Sequence, residues 1–240
     1  NEIAVGNVVG SNIFNLLVIA GASACLYPLI CDRVLLKRDW PLSAVAAILL
    51  GIFLLGDQTI SRLEALVLLV IFAVVLFLQL KGAKQEENIH PEERSMGRLV
   101  LFLLIGIAAI VIGGQVTVEG ATSLARILGL SETLIGLTIV AVGTSLPELV
   151  TSVVAARKGE NDIAMGNVIG SNLFNILCIL GVSALLHPIH VEGTALYDTA
   201  FLVVVTVVYW LICRRRSPDR LIGTAMILTD IGYMAYIILR

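Results

Sequence analysis

Two short motifs hold the side chains best suited to chemistry. The first is Gly143-Thr144-Ser145-Leu146-Pro147-Glu148, inside an apolar segment at 131–156. Pro147 cannot donate a backbone hydrogen bond, and its ring clashes with the carbonyl four residues back, that of Gly143. A helix must bend or break there, freeing carbonyl oxygens in apolar surroundings. Such backbone is tolerated inside a membrane only where it is buried in protein or lines a cavity. Thr144 and Ser145 add hydroxyl oxygens at the break, and Glu148 adds a carboxyl group. An acidic residue at the centre of a membrane helix costs about 2.5–3.5 kcal/mol on insertion scales. No Lys or Arg stands between position 131 and Arg157 to offset it, so a bound cation or a proton is the natural counter-charge.

The second motif occurs twice. Residues 6–29 read GNVVGSNIFNLLVIAGASACLYPL and residues 166–189 read GNVIGSNLFNILCILGVSALLHPI, identical at 15 of 24 positions with a constant offset of 160. Asn7, Ser11 and Asn15 recur every four residues, as do Asn167, Ser171 and Asn175. On a helix that spacing stacks amide and hydroxyl oxygens along one face. Gly6, Gly10 and Gly21, with Gly166, Gly170 and Gly181, are expected to let neighbouring helices approach closely. One Ser–Asn pair reads most simply as glue between helices. A duplicated three-rung ladder reads better as an ion path.

The two motifs offer carboxylate, hydroxyl, amide and carbonyl oxygens, with no thiolate or imidazole. Hard oxygen donors suit Ca²⁺, and a flexible cage prefers it to the stiffly octahedral Mg²⁺. Na⁺ is close to Ca²⁺ in size and fits the same oxygens. His187 and His190 flank Pro188, which breaks the register a metal pair would need.

The elements that position these residues are membrane helices. Apolar residues (AVILMFWYC) make up 58% of the 240 residues and charged ones 14%, against about 25% charged in soluble domains. Eight apolar segments are expected, at 3–31, 40–56, 62–80, 98–118, 131–156, 162–186, 197–213 and 221–239. Trp40 is expected to anchor the short second segment at an interface, and the semi-polar stretch 119–130 to lie on the membrane surface. Loops after the odd-numbered segments hold thirteen of the sixteen Lys and Arg, leaving Arg62, Arg126 and Arg240 elsewhere. Positively charged loops stay cytoplasmic, which puts 32–39, 81–97, 157–161 and 214–220 inside. The two motif copies, on the first and sixth segments, then cross the membrane in opposite senses. Inverted repeats of this kind are a construction of secondary transporters, with the substrate site near the midplane. Cys25, Cys31, Cys178 and Cys213 show no paired spacing and read as packing residues. Asp57 and Asp230 are left without a role.

At these residues the chain resembles the sodium/calcium exchanger family, within the cation/calcium antiporter superfamily, and looks closest to its short prokaryotic members. The Gly-Thr-Ser-Leu-Pro-Glu motif followed about twenty residues later by Gly-Asn-Val-x-Gly-Ser-Asn-x-Phe is highly specific to it, and the resemblance covers essentially the whole chain. It implies an all-α polytopic inverted-repeat bundle exchanging Na⁺ for Ca²⁺ by alternating access. It also implies that Glu148, Thr144, Ser145, the Ala141 carbonyl, Ser171 and Asn175 form one half-site, with Ser11 and Asn15 as first-half counterparts.

On this reading residues 1–80 are the remainder of a first half, 81–97 a cytoplasmic linker and 98–240 the second half. About eight of the expected ten spans are then present. The chain opens at Asn1 beside the first motif copy, so a fragment is expected, short of two spans and one carboxylate and unable to transport alone. Asn175 stands where some members carry Asp, which removes a titratable group. The chain is expected to be a transporter of the bacterial or archaeal plasma membrane and not an enzyme. Ca²⁺ and Na⁺ are its cargo, the bilayer is its partner, and neither cofactor nor nucleic acid is expected. H⁺-coupled cation antiport is the nearest alternative, and a passive cation channel a more distant one.

Overall fold

Long apolar runs have one way to satisfy their backbone inside a bilayer, which is to bond it internally as helix. The computed structural model describes residues 2–83, 96–129, 141–191 and 193–239. The first motif copy forms α1 (Glu2–Phe14), continues through a π-helical segment (Asn15–Ile19) and ends in α2 (Ala20–Leu26). A second π segment (Leu35–Asp39) leads into α3 (Trp40–Leu55), then β1 (Thr59–Ile60) and α4 (Arg62–Ala83). Next come α5 (Met96–Ile127), α6 (Ala141–Thr144) and α7 (Leu146–Arg157). The second copy forms α8 (Asn161–Phe174), a π segment (Asn175–Leu180) and α9 (Gly181–Leu186). The chain closes with β2 (Ile189–His190), α10 (Thr194–Cys213) and α11 (Arg220–Leu239).

Among the described residues, seven helical runs are long and apolar enough to cross a membrane. They agree with seven of the eight expected segments. The remaining one, 131–156, lies partly outside the described residues. The stretch 119–127 is not a separate surface element but the continuation of α5. At about 1.5 Å per residue α5 is about 48 Å long, so its semi-polar end overshoots a core of about 30 Å.

The chain divides into two units, Asn1–Phe72 with Glu148–Arg240, and Ala73–Pro147. In the first, the motif helices are the core: 72% of the apolar window in Ala4–Leu26 is buried, against 17% in Arg62–Lys81. Val5, Val8, Ile13, Leu16 and Leu17 are shut in, whereas Leu63, Leu66, Val67 and Val70 on α4 point outward, as lipid-facing residues do. Two opposed ends are tied. At one, the Leu29 N–H donates to the Pro218 carbonyl at 2.9 Å and the Arg220 Nε to the Cys25 carbonyl at 3.1 Å. At the other, β1 and β2 pair antiparallel, Thr59 opposite His190 and Ile60 opposite Ile189. Loops 27–39 and 214–219 thus share one end, and 57–61 and 187–191 the other, as the alternation of positive loops requires.

Trp40 is not turned outward as an interfacial anchor would be. It is fully buried, because α3 packs along α10, and its Nε1 donates to the Thr206 carbonyl at 3.2 Å. Trp210 returns the contact, donating to the Leu36 carbonyl at 2.8 Å. The start of α4 carries its own cap. Ser61 and Glu64 form a reciprocal capping box there, with Ser61 N–H to Glu64 Oε2 at 2.7 Å and Glu64 N–H to Ser61 Oγ at 3.3 Å. Asp57 takes a role in the turn before β1, accepting from the Thr59 N–H at 3.0 Å.

The expected close helix approach holds at Gly21 and Gly181 only. A Cβ on Gly21 would lie 3.0 Å from the Gly223 carbonyl oxygen, and one on Gly181 would lie 2.9 Å from Leu69 Cδ2. Gly6, Gly10, Gly166 and Gly170 have nothing among the described residues within 4 Å of that position. Among the described residues they border open space and seat no neighbouring helix.

In the second unit, α6 and the start of α7 are separated by a turn at Ser145, two residues before Pro147. The Ser145 N–H falls back on the Val142 carbonyl at 3.1 Å, three residues away and not four. The Pro147 break thus lies where the sequence puts it.

Candidate cation site

The second motif copy lines a cavity of about 300 Å³ with Gly166, Asn167, Gly170, Ser171, Phe174 and Asn175, and α7 adds Glu148. These positions are one helix face, so Asn167, Ser171 and Asn175 form the ladder that their spacing predicts. Gly166 and Gly170 keep it open, and Phe174 packs edge-on against Phe72 at its rim, with centroids 5.8 Å apart. The Glu148 Oε2 is buried and has no hydrogen-bond partner among the described residues.

A clamp holds Glu148 over the ladder. The Asn167 Nδ2 donates to the Glu148 carbonyl at 3.1 Å and to Ser152 Oγ at 3.0 Å. The Ser152 hydroxyl in turn donates to the Ala164 carbonyl at 3.1 Å. The first turn of α7 is therefore fastened to α8 through side chains that the helix backbone does not need.

The two copies meet at residues outside the predicted ladder. Asn12 Nδ2 donates to the Asn172 carbonyl at 3.1 Å, and Asn172 Nδ2 donates to the Asn12 carbonyl at 3.0 Å. Asn15 Nδ2 then donates to Asn172 Oδ1 at 3.1 Å, and Asn175 Nδ2 to Asn12 Oδ1 at 2.9 Å. The lattice maps onto itself under the offset of 160. Asn12 and Asn172 are 0% and 1% exposed. Spacing along one copy does not reveal these two residues, but the constant offset does, since it pairs identical amides on crossing helices.

The π-helical segments of the two motif copies begin at the equivalent positions Asn15 and Asn175. A π turn inside an α-helix leaves backbone out of register and often marks a functional position. Nothing in the apolar pattern of either copy signals it.

The structure thus brings Glu148, Ser171 and Asn175 around one cavity. Asn15 is buried against Asn172, its Oδ1 without a partner among the described residues, and Ser11 is buried on α1. Thr144, Ser145 and Ala141 belong to the other unit, where Thr144 is exposed and Ser145 buried. His190 is engaged by its Nδ1 with the Thr59 hydroxyl at 2.6 Å.

Comparison with known proteins agrees with this architecture. A family model described as sodium/calcium exchanger protein matches residues 1–81 and 98–239. The inner membrane protein YrbG of Escherichia coli (strain K12) is 36% identical over 249 residues, covering 98% of this chain and 76% of its own. The sodium/calcium exchanger MaX1 of Methanosarcina acetivorans is 36% identical over 239 residues, covering 82% of this chain and 68% of its own. Among solved structures, the sodium-calcium exchanger NCX_Mj soaked with Na⁺ and Sr²⁺ superimposes with a TM-score of 0.84 at 30% identity. That match covers 98% of this chain and 76% of the other. An all-helical polytopic protein of the plasma membrane, the chain belongs to the sodium/calcium exchanger family of transporters.

Proposed function

We propose that the protein exchanges Na⁺ for Ca²⁺ by alternating access, with Glu148, Ser171 and Asn175 as ligands in the cavity. The observation that carries this reading is the buried, unpartnered Glu148 Oε2 beside a ladder of neutral oxygen donors. A carboxylate in that position is stabilised by a cation and by little else in its surroundings. Ser11 and Asn15 are the counterparts on α1 and the π segment that follows it. Thr144, Ser145 and the Ala141 carbonyl are assigned to the same site on the Gly143–Glu148 motif alone.

Na⁺ and Ca²⁺ compete for overlapping oxygens, and occupancy permits rocking between the two faces. Residues 1–80 belong to one inverted half and 98–240 to the other, and 81–97 joins them on the cytoplasmic side. The relatives' names, sodium/calcium exchanger MaX1 and sodium-calcium exchanger NCX_Mj, support Na⁺ as the coupling ion. The test loads vesicles containing the full-length protein with Na⁺, dilutes them into Na⁺-free buffer and follows ⁴⁵Ca²⁺ uptake. Uptake that collapses without the Na⁺ gradient is the expected result. Uptake indifferent to Na⁺ but driven by a pH gradient moves the coupling to H⁺, and uptake without any counter-ion makes the protein a channel.

A further inference from the structure

We propose that Asn12 and Asn172 are positioning residues that orient the amides of Asn175 and Asn15, so that each turns its oxygen to the cation. The proposal rests on the cation-site reading above. Its starting point is chemical: a backbone carbonyl can only accept a hydrogen bond. Asn12 and Asn172 face each other's carbonyls at 3.1 and 3.0 Å, so each must present its NH₂ there and its Oδ1 on the opposite side. The residue meeting that Oδ1 must in turn be a donor. Asn175 supplies its NH₂ to Asn12 at 2.9 Å, and Asn15 supplies its own to Asn172 at 3.1 Å.

Each bond in the sequence dictates the next. Two carbonyls fix two buried amides, and these fix two more. The remaining atom in each case is an oxygen. Asn175 lines the cavity with Glu148, and the Asn15 Oδ1 is buried with no partner among the described residues. An amide free to flip would offer NH₂ to a cation in half of its orientations. One held by Asn12 or Asn172 does not.

Partners of this kind behind a metal ligand are worth about 10–100-fold in affinity. Asn12→Leu, assayed by ⁴⁵Ca²⁺ uptake in the full-length protein, is expected to raise the Ca²⁺ KM at least tenfold while the maximal rate changes less. The decisive measurement adds Asn175→Asp to Asn12→Leu. A carboxylate shows oxygen whichever way it turns, so the double variant is expected to match Asn175→Asp alone within about threefold. Asn172→Leu removes the acceptor for Asn15 and provides an independent second variant if Asn12→Leu does not fold. The same KM rise is expected there, rescued by Asn15→Asp. A KM unchanged in the leucine variants, or raised equally with and without the aspartate, overturns the proposal. Glu148→Gln and Asn175→Ala run alongside: if neither moves the Ca²⁺ KM, it is the cation site itself that fails.

Discussion

Asn167 on α8 reaches both the Glu148 carbonyl and the Ser152 hydroxyl, at 3.1 and 3.0 Å, so one amide holds two turns of α7. The position of the carboxylate therefore depends on a residue that need not touch the ion. Asn167→Leu removes both of these bonds, each worth about 0.5–1.5 kcal/mol. The expected outcome is a lower melting temperature in detergent together with weaker ⁴⁵Ca²⁺ uptake. Unchanged stability would mean the clamp contributes nothing.

Gly170 lines the cavity, and a Cβ added there would have no atom of the described residues within 4 Å. A larger side chain at this position meets no helix among the described residues and fills the cavity proposed to hold the cation. Gly170→Leu is expected to cut ⁴⁵Ca²⁺ uptake roughly tenfold, about 1.4 kcal/mol in the transport step, with the melting temperature held. A collapse of the fold would show that the residue seats a helix after all.

Gly223 behaves in the opposite way. A Cβ there would lie 2.5 Å from the Gly21 carbonyl oxygen and 2.9 Å from the Cys25 nitrogen, both backbone atoms that cannot turn aside. Gly223→Ala is expected to destabilise by about 1–3 kcal/mol through overpacking of α2 on α11. Gly232→Ala, on the same helix with nothing within 4 Å, is the control and should leave the unfolding midpoint where it was.

Asp219 starts α11, accepting from the Ile222 N–H at 3.1 Å. That backbone donor, followed by the Arg216 guanidinium, holds its carboxyl below the usual carboxylate range. A group whose pKa falls on folding stabilises the folded state above its unfolded pKa and loses that contribution as pH drops through the folded one. The window opens near pH 4 and runs downward. Wild type is expected to lose melting temperature across it, and Asp219→Ala to lose less. Parallel curves would show that the cap is idle.

Much of the architecture is legible in the amino-acid sequence. The GNVxGSN copies and the thirteen-to-three split of positive charge give the spans and their alternation, because length and charge are local properties that the bilayer reads directly. Glu148 is legible as a lone carboxyl group beside the Pro147 break in an apolar segment, and Ser171 and Asn175 are legible because i, i+4 spacing fixes a helix face. Asn12 and Asn172 escape that logic. They lie off the ladder, and what makes them matter is a partner 160 residues away. The π turns at Asn15 and Asn175 escape it as well, because hydrophobic period does not record which carbonyl an amide chooses. Trp40 misleads for a related reason: its ring suits an interface, but α10 offers it a carbonyl and a closed pocket.

The crossing of the two motif helices has the form of an isologous interface, in which residue i meets j and j meets i. Here both partners belong to one chain. A change at Asn12 is felt by Asn175, and its mirror change at Asn172 is felt by Asn15. The two proposed half-sites are thus joined where the motif copies cross. Tuning one toward a different ion without disturbing the other requires substitutions away from these four amides.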